Sequence, residues 1–285
     1  MKPTAIGIIG GSGLYQIEQL DIQGEISVDT PFGPPSDPII QTTFQDRPVY
    51  FLPRHGKGHR ILPTEINHHA NIWALKSLGV EFLISVGAVG SLQEAYAPRD
   101  ILVPDQFFDR TSRHHTFFGE GIVAHVGFGQ PTAPALSQIL AQAAHQLGCV
   151  VHEGGTYVNI DGPAFSTRAE SLFYHRQGLD VIGMTNLPEA KLAREAEIAF
   201  ASLAMITDYD SWRPHEDSVT AEMILGHLLA NADTAKSIVL NALLTIPLQA
   251  EWLEHRALAL SIITQRALWP KATTEKLHPI LHKYL

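Results

Sequence analysis

A single α/β domain with a central sheet flanked by helices is the fold that the sequence predicts. Short apolar runs, typical of buried strands, alternate along the chain with longer segments of helical periodicity. No internal repeat, linker or low-complexity segment divides the 285 residues. We therefore expect one domain over residues 1–285, in which residues 214–285 form a helical C-terminal part.

Composition limits the class of protein. With 45% hydrophobic residues the chain can bury a large core, and a formal charge of −9 without a basic patch argues against a nucleic-acid partner. The single cysteine, Cys149, excludes a disulfide framework within one chain and indicates a reducing, cytoplasmic compartment. Because there is no signal peptide and no apolar run of about 18 residues, we expect a soluble protein without membrane contact. The histidine pairs at 68–69 and 114–115 lack zinc-ligand spacing.

The first predicted strand, residues 5–9, runs into a glycine-rich segment at 10–13. Such a segment can bring backbone N–H groups and the Ser12 hydroxyl close to an anion, although a plain tight turn explains it equally well. The third glycine of a dinucleotide-binding fingerprint is missing, and so is the Gly-Lys-Ser/Thr of a Walker loop. The segment is therefore a weak candidate for phosphate binding.

Strand-like runs at 38–42 and 48–52 lead into a loop with five basic or potentially basic groups, among them Arg54 and His55. The guanidinium group matches phosphate oxygens, so the loop is either an anion site or a solvated basic loop. A helix is predicted over 64–78, capped by Thr64 and ended by Gly79.

The next predicted strand, 81–86, ends in the small residues 87–91, which form either a tight turn or a place where a ligand lies on backbone amides. A strand at 100–107 and an irregular segment at 110–128 follow, and the latter suggests a functional or subunit-contact loop. The remaining elements before the last strand are a helix at 134–147, strand-like residues at 150–161, a helix opened by Ser166 as cap, a short strand at 180–183 and a helix at 188–197.

An apolar run at 198–206 predicts a strand buried on both faces, and it delivers Asp208 and Asp210 at its carboxyl end. Ligands of open α/β sheets bind at that end, so the two carboxylates are candidates for recognising a base. The alternative is that they begin a solvated loop or cap the next helix. Helices are predicted at 214–244 and 252–268, followed by a weakly patterned tail.

Several stretches together resemble the 5'-methylthioadenosine phosphorylases of the trimeric purine nucleoside phosphorylase superfamily, from Ile6 to about Leu229. These stretches are IGIIGGSGL, TPFGPPSD, LPRHGKGH, NHHANIWALKSLG, VGAVGSL, DQFFDRT, DGPAFSTRAE, MTNLPEAKLARE and TDYDSW. The resemblance implies a nucleoside phosphorylase-like fold with a mixed, twisted central β-sheet. It also implies phosphorolysis of a purine nucleoside, with inorganic phosphate as co-substrate, no metal or organic cofactor, and a homotrimer with active sites at subunit interfaces.

The resemblance also assigns residues to roles. The positions matching the family's phosphate site are Ser12, Arg54, His55, Gly87, Ala88 and Thr185. Those matching its nucleoside site are Met184 at the ribose, Phe165 and Ser166 at the base, Val219, Ala221 and Leu225 at the 5'-methylthio group, and His125 from the neighbouring subunit. Asp208 and Asp210 match the acids that face N7 and the 6-amino group of the purine, with Asp208 expected to donate or share the N7 proton.

A carboxylate pair favours adenine, since a 6-amino group donates a hydrogen bond whereas a 6-oxo group would face lone pairs. Relatives that act on 6-oxopurines, such as methylthioinosine phosphorylases, carry Asn at the position of Asp208, and such an activity is the alternative reading. Two departures from the family remain. Ala221 is smaller than the usual residue, which leaves the 5'-substituent open, and Gly87 stands where close relatives carry Thr and so would act through its backbone.

Overall fold

The computed structural model describes residues 4–11, 14, 20–213, 221–249 and 251–285, and of residues 21 and 221–230 it describes the backbone alone. Ser12 and Val219, both predicted site residues, lie outside the described residues. The strands are β1 Ala5–Gly10, β2 Asp21–Ile26, β3 Ile39–Phe44, β4 Arg47–Pro53, β5 Val80–Ser91, β6 Ile101–Val103, β7 Gln106–Arg110, β8 Val151–Glu153, β9 Thr156–Ile160, β10 Val181–Gly183 and β11 Ala199–Tyr209. The helices are α1 His68–Ser77, α2 Pro134–Gln146, α3 Arg168–Arg176, α4 Asn186–Glu195, α5 Ala221–Leu243, α6 Lys271–Lys276 and α7 His278–Leu281.

All these strands join one mixed sheet. Its main order is β2-β3-β4-β1-β5-β10-β9-β7, and a branch formed by β11, β6 and β8 leaves from β5. The pairs β1–β4, β1–β5 and β5–β11 are parallel, whereas β5–β10 and β6–β11 are antiparallel. The α/β fold with a mixed central sheet is therefore confirmed.

Strand β5 organises the sheet because it pairs with three strands. One edge bonds to β11 almost along its whole length, while the other edge bonds first to β1, as far as Ser85, and then to β10 at Gly90 and Ser91. Between those two partners, no strand among the described residues lies beside residues 86–89 on that edge. The backbone of this interval is therefore exposed to whatever lies between β1 and β10.

Helices cover both faces of the sheet. On one face α2 and α5 pack against the strands, as Leu136 and Ile238 do with Ile8. On the other face α1, α4 and α7 pack against the same strands, as Leu75 and Ile280 do. Side chains of a strand alternate between faces, so a strand buried on both faces must be apolar throughout. This explains the runs of apolar and small residues at 5–9 and 198–206.

Several predicted boundaries were wrong. The small residues 87–91 continue β5 instead of forming a tight turn, since pairing with β11 extends to Ser91. Helix α3 is capped by Thr167, not Ser166, because Thr167 and Glu170 form a reciprocal capping box. Helix α1 begins after Asn67, whose side chain caps it, and not at Thr64.

The C-terminal part also differs from the prediction. In place of a helix over 252–268 the chain forms two short 3₁₀ turns, Leu253–Arg256 and Arg266–Leu268, joined by irregular backbone. The final residues fold against α1, where Trp73 Nε1 donates a hydrogen bond to Lys276 O. Across the described parts of the chain, no helix is long and apolar enough to span a membrane.

Candidate active site

A cavity of about 520 Å³ opens at the carboxyl ends of the central strands. Its lining comes from the ends of β1, β4, β5, β10 and β11, from the loop before α3, and from Asn231, Ala232 and Ala235 on α5. The interval 86–89 of β5 lies in this lining, and on one of its edges the described part of the chain contains no partner strand. The cavity therefore occupies the position at which open α/β sheets bind ligands.

The two aspartates lie in this cavity and are nearly buried, with 7% of Asp208 and 5% of Asp210 exposed. Asp208 is still part of β11, not the start of a solvated loop. The Thr207 hydroxyl lies 2.6 Å from Asp208 Oδ1 and 3.2 Å from Val89 O. A single hydroxyl proton can serve one of these acceptors at a time, so Thr207 can donate to an ionised Asp208 or accept from a protonated one.

Asp210 lines the cavity with an acceptor left over. Its Oδ2 atom is buried and has no hydrogen-bond partner among the described residues. Burial raises the pKa of Asp210, and the Glu170 carboxylate adds to this, while the Ser171 hydroxyl and the Ser211 amide lower it. A buried acceptor without a partner is costly, so this atom is suited to a ligand that brings a donor.

Gly90 allows the two acids to lie side by side. A Cβ atom at this position would lie 3.2 Å from Asp208 Oδ2 and 3.3 Å from Asp210 Cβ. Such distances are tighter than ordinary van der Waals contact, so a side chain here would displace one or both carboxylates. The small residue that the sequence placed in a turn therefore has a different purpose, which is to leave room for the acid pair.

Arg54 is 2% exposed and reaches the cavity from the end of β4. Its Nη1 atom donates to Val86 O at 2.9 Å, which is the backbone of the unpaired interval. Glu189 on α4, 0% exposed, accepts from Arg54 Nε at 2.5 Å and from Nη2 at 3.0 Å. The guanidinium group is therefore fixed in place, with its charge compensated by a buried carboxylate.

His55 lies in the cavity lining as a neutral group. Burial lowers its pKa to about 4, and the charge of Arg54 acts in the same direction. Its Nδ1 atom lies 2.9 Å from Ile61 O, so Nδ1 carries the proton of the neutral ring and Nε2 is an acceptor. The ring stacks on His59, with 4.3 Å between centroids, and His59 also lines the cavity.

Backbone and hydroxyl donors complete this side of the cavity. In a parallel strand, alternate residues direct their backbone groups to opposite edges. Since Val86 O faces Arg54, the Ala88 N–H faces the open interval as well, whereas Gly87 faces β11. Thr185 precedes α4 and lines the cavity, and its side chain makes no capping hydrogen bond. The helix N-terminus and these donors together suit an anion.

Another part of the lining carries larger side chains. Phe165 is 43% exposed and lines the cavity together with Met184. The Ser166 Oγ atom is buried on the same wall and has no hydrogen-bond partner among the described residues. An aromatic face, a thioether and a free hydroxyl on one wall suit a flat heterocycle attached to a sugar.

Five predicted residues are not placed in this cavity. Ser12 and Val219 lie outside the described residues, and of Ala221 and Leu225 only the helical backbone is described. His125 is exposed and belongs to the irregular segment, where its N–H donates to Ser261 O at 2.8 Å. It does not line the cavity of its own chain.

Sequence reasoning did not single out Glu189 or His59. Glu189 lies on α4 three and four residues before Leu192 and Ala193, apolar residues of the same helix face, and an acid on such a face is unusual. His59 was counted only as one of the basic groups of its loop. Within the described residues, no cluster of three or more His, Cys, Asp or Glu side chains has metal-binding geometry.

Comparisons with known proteins agree with this geometry. Residues 5–244 match the family model described as the phosphorylase superfamily. The chain is 55% identical to an S-methyl-5'-thioadenosine phosphorylase of Thermosynechococcus vestitus, over 98% of this chain and 99% of that protein. It is 53% identical to the S-methyl-5'-thioadenosine phosphorylase of Koribacter versatilis, over 98% of this chain and 96% of that protein.

Solved structures give the same result. A methylthioadenosine phosphorylase from an antarctic soil metagenomic library superposes with a TM-score of 0.93 at 44% identity, covering 99% of this chain and 100% of that chain. A methylthioadenosine phosphorylase from Schistosoma mansoni in complex with tubercidin superposes with a TM-score of 0.83 at 37% identity, covering 90% and 96%.

Proposed function

This chain belongs to the S-methyl-5'-thioadenosine phosphorylase family of the phosphorylase superfamily, and from that premise we propose the reaction that it catalyses. The reaction is phosphorolysis of S-methyl-5'-thioadenosine to adenine and 5-methylthioribose 1-phosphate, a step of purine and methionine salvage. Inorganic phosphate is the co-substrate, and we propose that no metal or organic cofactor takes part.

The observation that carries the proposal is the pairing of two chemically different groups in one cavity. The lining combines the carboxylates of Asp208 and Asp210 with Arg54, the Ala88 N–H and Thr185, which form an anion-binding surface. Reaction of a nucleoside with phosphate requires both groups. The base leaves from one side of the anomeric carbon while the nucleophile approaches the other side. A hydrolase would need only a water site in place of the second group.

The phosphate nucleophile is held by hydrogen-bonding groups that keep the same protonation state during the reaction. Arg54 donates through Nη1, the Thr185 hydroxyl and the Ala88 N–H donate neutral hydrogen bonds, and neutral His55 accepts through Nε2. An acceptor in this position favours a phosphate that still carries a proton. The held phosphate then attacks the anomeric carbon as the glycosidic bond breaks.

The leaving purine is stabilised by the acids. Asp208 shares or donates a proton at N7, and Thr207 accommodates either protonation state of that carboxyl. Asp210 accepts from the 6-amino group through its unpartnered Oδ2 atom. Phe165 stacks on the base, Ser166 lies beside it, and Met184 packs against the ribose.

A substrate panel tests the reaction. Methylthioadenosine, adenosine, methylthioinosine and inosine are each incubated with and without phosphate, and the free base is measured. We expect adenine release from methylthioadenosine only when phosphate is present. Sustained adenine release without phosphate would show a hydrolase, and a higher kcat/KM for methylthioinosine would show a 6-oxopurine enzyme.

We also propose a cytoplasmic homotrimer with active sites at its subunit interfaces. The support is an apolar surface beside His125, on which Val123 is 46%, Leu260 97% and Ile263 64% exposed. Hydrogen bonds from His125 N to Ser261 O and from Ile263 N to Val123 O join its two segments. Exposed apolar side chains grouped in this way are typical of a protein interface, and a second copy would bring His125 to a neighbouring cavity.

Two experiments test the assembly. Sedimentation velocity should give a trimer, and a monomer at assay concentration would refute it. A His125→Ala variant mixed with an Asp208→Asn variant, after dissociation and reassociation, should recover activity if His125 serves the neighbouring site. No recovery, with mixed oligomers present, would show that His125 does not serve the neighbouring site.

A further inference from the structure

The phosphate-binding arginine is held by a buried polar network. The Ser85 hydroxyl donates to Glu189 Oε2 at 2.6 Å and accepts from Arg54 Nη2 at 2.7 Å and from Asn186 Nδ2 at 2.9 Å. Together with the two Arg54–Glu189 hydrogen bonds, this joins β4, β5 and the first turn of α4. Each carboxylate oxygen of Glu189 is thus an acceptor for Arg54.

Most N–H donors of the Arg54 guanidinium group are already used by protein acceptors. It has five N–H bonds, of which Nε–H and the two on Nη2 are used by Glu189 and Ser85. One N–H on Nη1 is used by Val86 O. The second Nη1–H has no acceptor among the described residues. The Nη1 atom lies beside Gly87, where a Cβ atom would be 3.7 Å from it and where the cavity begins.

We propose that Glu189 is a positioning residue for phosphate: its two carboxylate oxygens hold the Arg54 guanidinium group so that the Nη1–H without an acceptor among the described residues points into the cavity. This rests on the proposed phosphorolysis and names a residue that acts in it without touching substrate. Glu189 also cancels much of the guanidinium charge, so phosphate is bound by direction of hydrogen bonds more than by net charge.

Glu189→Gln separates these two effects. In either orientation the new amide NH₂ faces an N–H of Arg54, at Nε or at Nη2. One of the two hydrogen bonds to Arg54 is therefore lost, although the side-chain volume is kept. If position matters, phosphate binds more weakly. If Glu189 only cancels charge, the variant gains a net positive charge at the site and phosphate binds more tightly. The two accounts predict opposite signs.

The measurement is steady-state kinetics of the full-length enzyme with phosphate and methylthioadenosine varied in turn. We expect Glu189→Gln to raise the KM for phosphate about tenfold, the effect of losing one well-aimed charge-assisted hydrogen bond. The KM for methylthioadenosine should change less than about twofold. The matched control is Glu195→Gln, on the same helix but bonded to Thr116 and to the Phe117 N–H, which should leave the KM for phosphate unchanged.

Further outcomes keep the test decisive. In an Arg54→Gln background, Glu189→Gln should have no additional effect on the KM for phosphate. If Glu189→Gln does not fold, Ser85→Ala is the alternative, because it removes the hydroxyl that bonds both Arg54 and Glu189. It should raise the KM for phosphate by a smaller factor. A lower or unchanged KM for phosphate, or equal rises for both substrates, would overturn the proposal. A wild-type enzyme that needs no phosphate would instead refute the proposed function.

Discussion

Replacing Asp210 with Asn tests the base-recognition site most directly, because the change keeps the shape and removes the charge. Asp210 is 5% exposed, and its Oδ2 atom has no hydrogen-bond partner among the described residues. With methylthioadenosine, a charge-assisted hydrogen bond to the 6-amino group becomes a neutral one, at a loss of about 1.5 kcal/mol. With methylthioinosine, the new amide can donate to the 6-oxo group, a gain of about the same size.

The two changes add to about 3 kcal/mol, so the ratio of kcat/KM for methylthioadenosine to that for methylthioinosine should fall about 150-fold. The assay measures both substrates at saturating phosphate. Asp233→Asn, which removes the same charge from a side chain that is 89% exposed, is the control. A change in the ratio of less than about threefold, or an equal loss on both substrates, would refute our account of Asp210.

The same variant has a consequence for stability. Since folding raises the pKa of Asp210, the folded state disfavours its ionised form. That cost is present above the folded-state pKa and disappears as the pH falls below the ordinary aspartate range. Asp210→Asn should therefore have a higher Tm than the wild type at pH 7.5, by a margin that shrinks towards pH 4. A lower Tm at pH 7.5 would contradict this reasoning.

Three further changes test other parts of the site. Asp208→Asn should lower kcat for methylthioadenosine by about 100-fold, the usual contribution of a general acid, and shift preference towards 6-oxo substrates; no shift in a substrate panel would argue against its place at N7. Gly90→Ala should lower kcat/KM with little change in the KM for phosphate, since its Cβ would crowd the acids and not Arg54; an unchanged kcat/KM would contradict that role for Gly90. Gly87→Thr should lower the KM for phosphate, because a Cβ fits 3.7 Å from Arg54 Nη1 and the hydroxyl adds a donor; a higher KM would show that the side chain blocks the site instead.

The order of strands and helices could be read from the sequence because local physics decides it. The apolar runs at 5–9 and 198–206 are strands buried on both faces, as their composition requires. The helix at 134–147 ends before Gly148, which has φ +74°, a conformation that glycine adopts freely. Such features depend only on residues close together in the sequence, so tertiary contacts do not change them.

Boundaries set by tertiary pairing could not be read. Residues 87–91 are small and suggest a turn, but hydrogen bonds to β11 keep them extended as far as Ser91. The cap of α3 is an exception, because Thr167 stands three residues before Glu170 and this local capping-box spacing selects it over Ser166. The segment 252–268 has apolar residues at helical spacing, yet it runs as turns over the irregular segment near His125, with Ile263 N bonded to Val123 O.

By itself the sequence determined the α/β class, the family and most of the residues gathered at the strand ends, because the chain direction of parallel strands brings their carboxyl ends to one edge. Only the tertiary structure decided how those residues work. It showed that the described strands leave one edge of β5 unpaired between β1 and β10. It also showed that Gly90 leaves room for two acids and that Glu189 forms hydrogen bonds with Arg54. These features join residues far apart in sequence, and no local pattern specifies which backbone edge or buried carboxylate a side chain will meet.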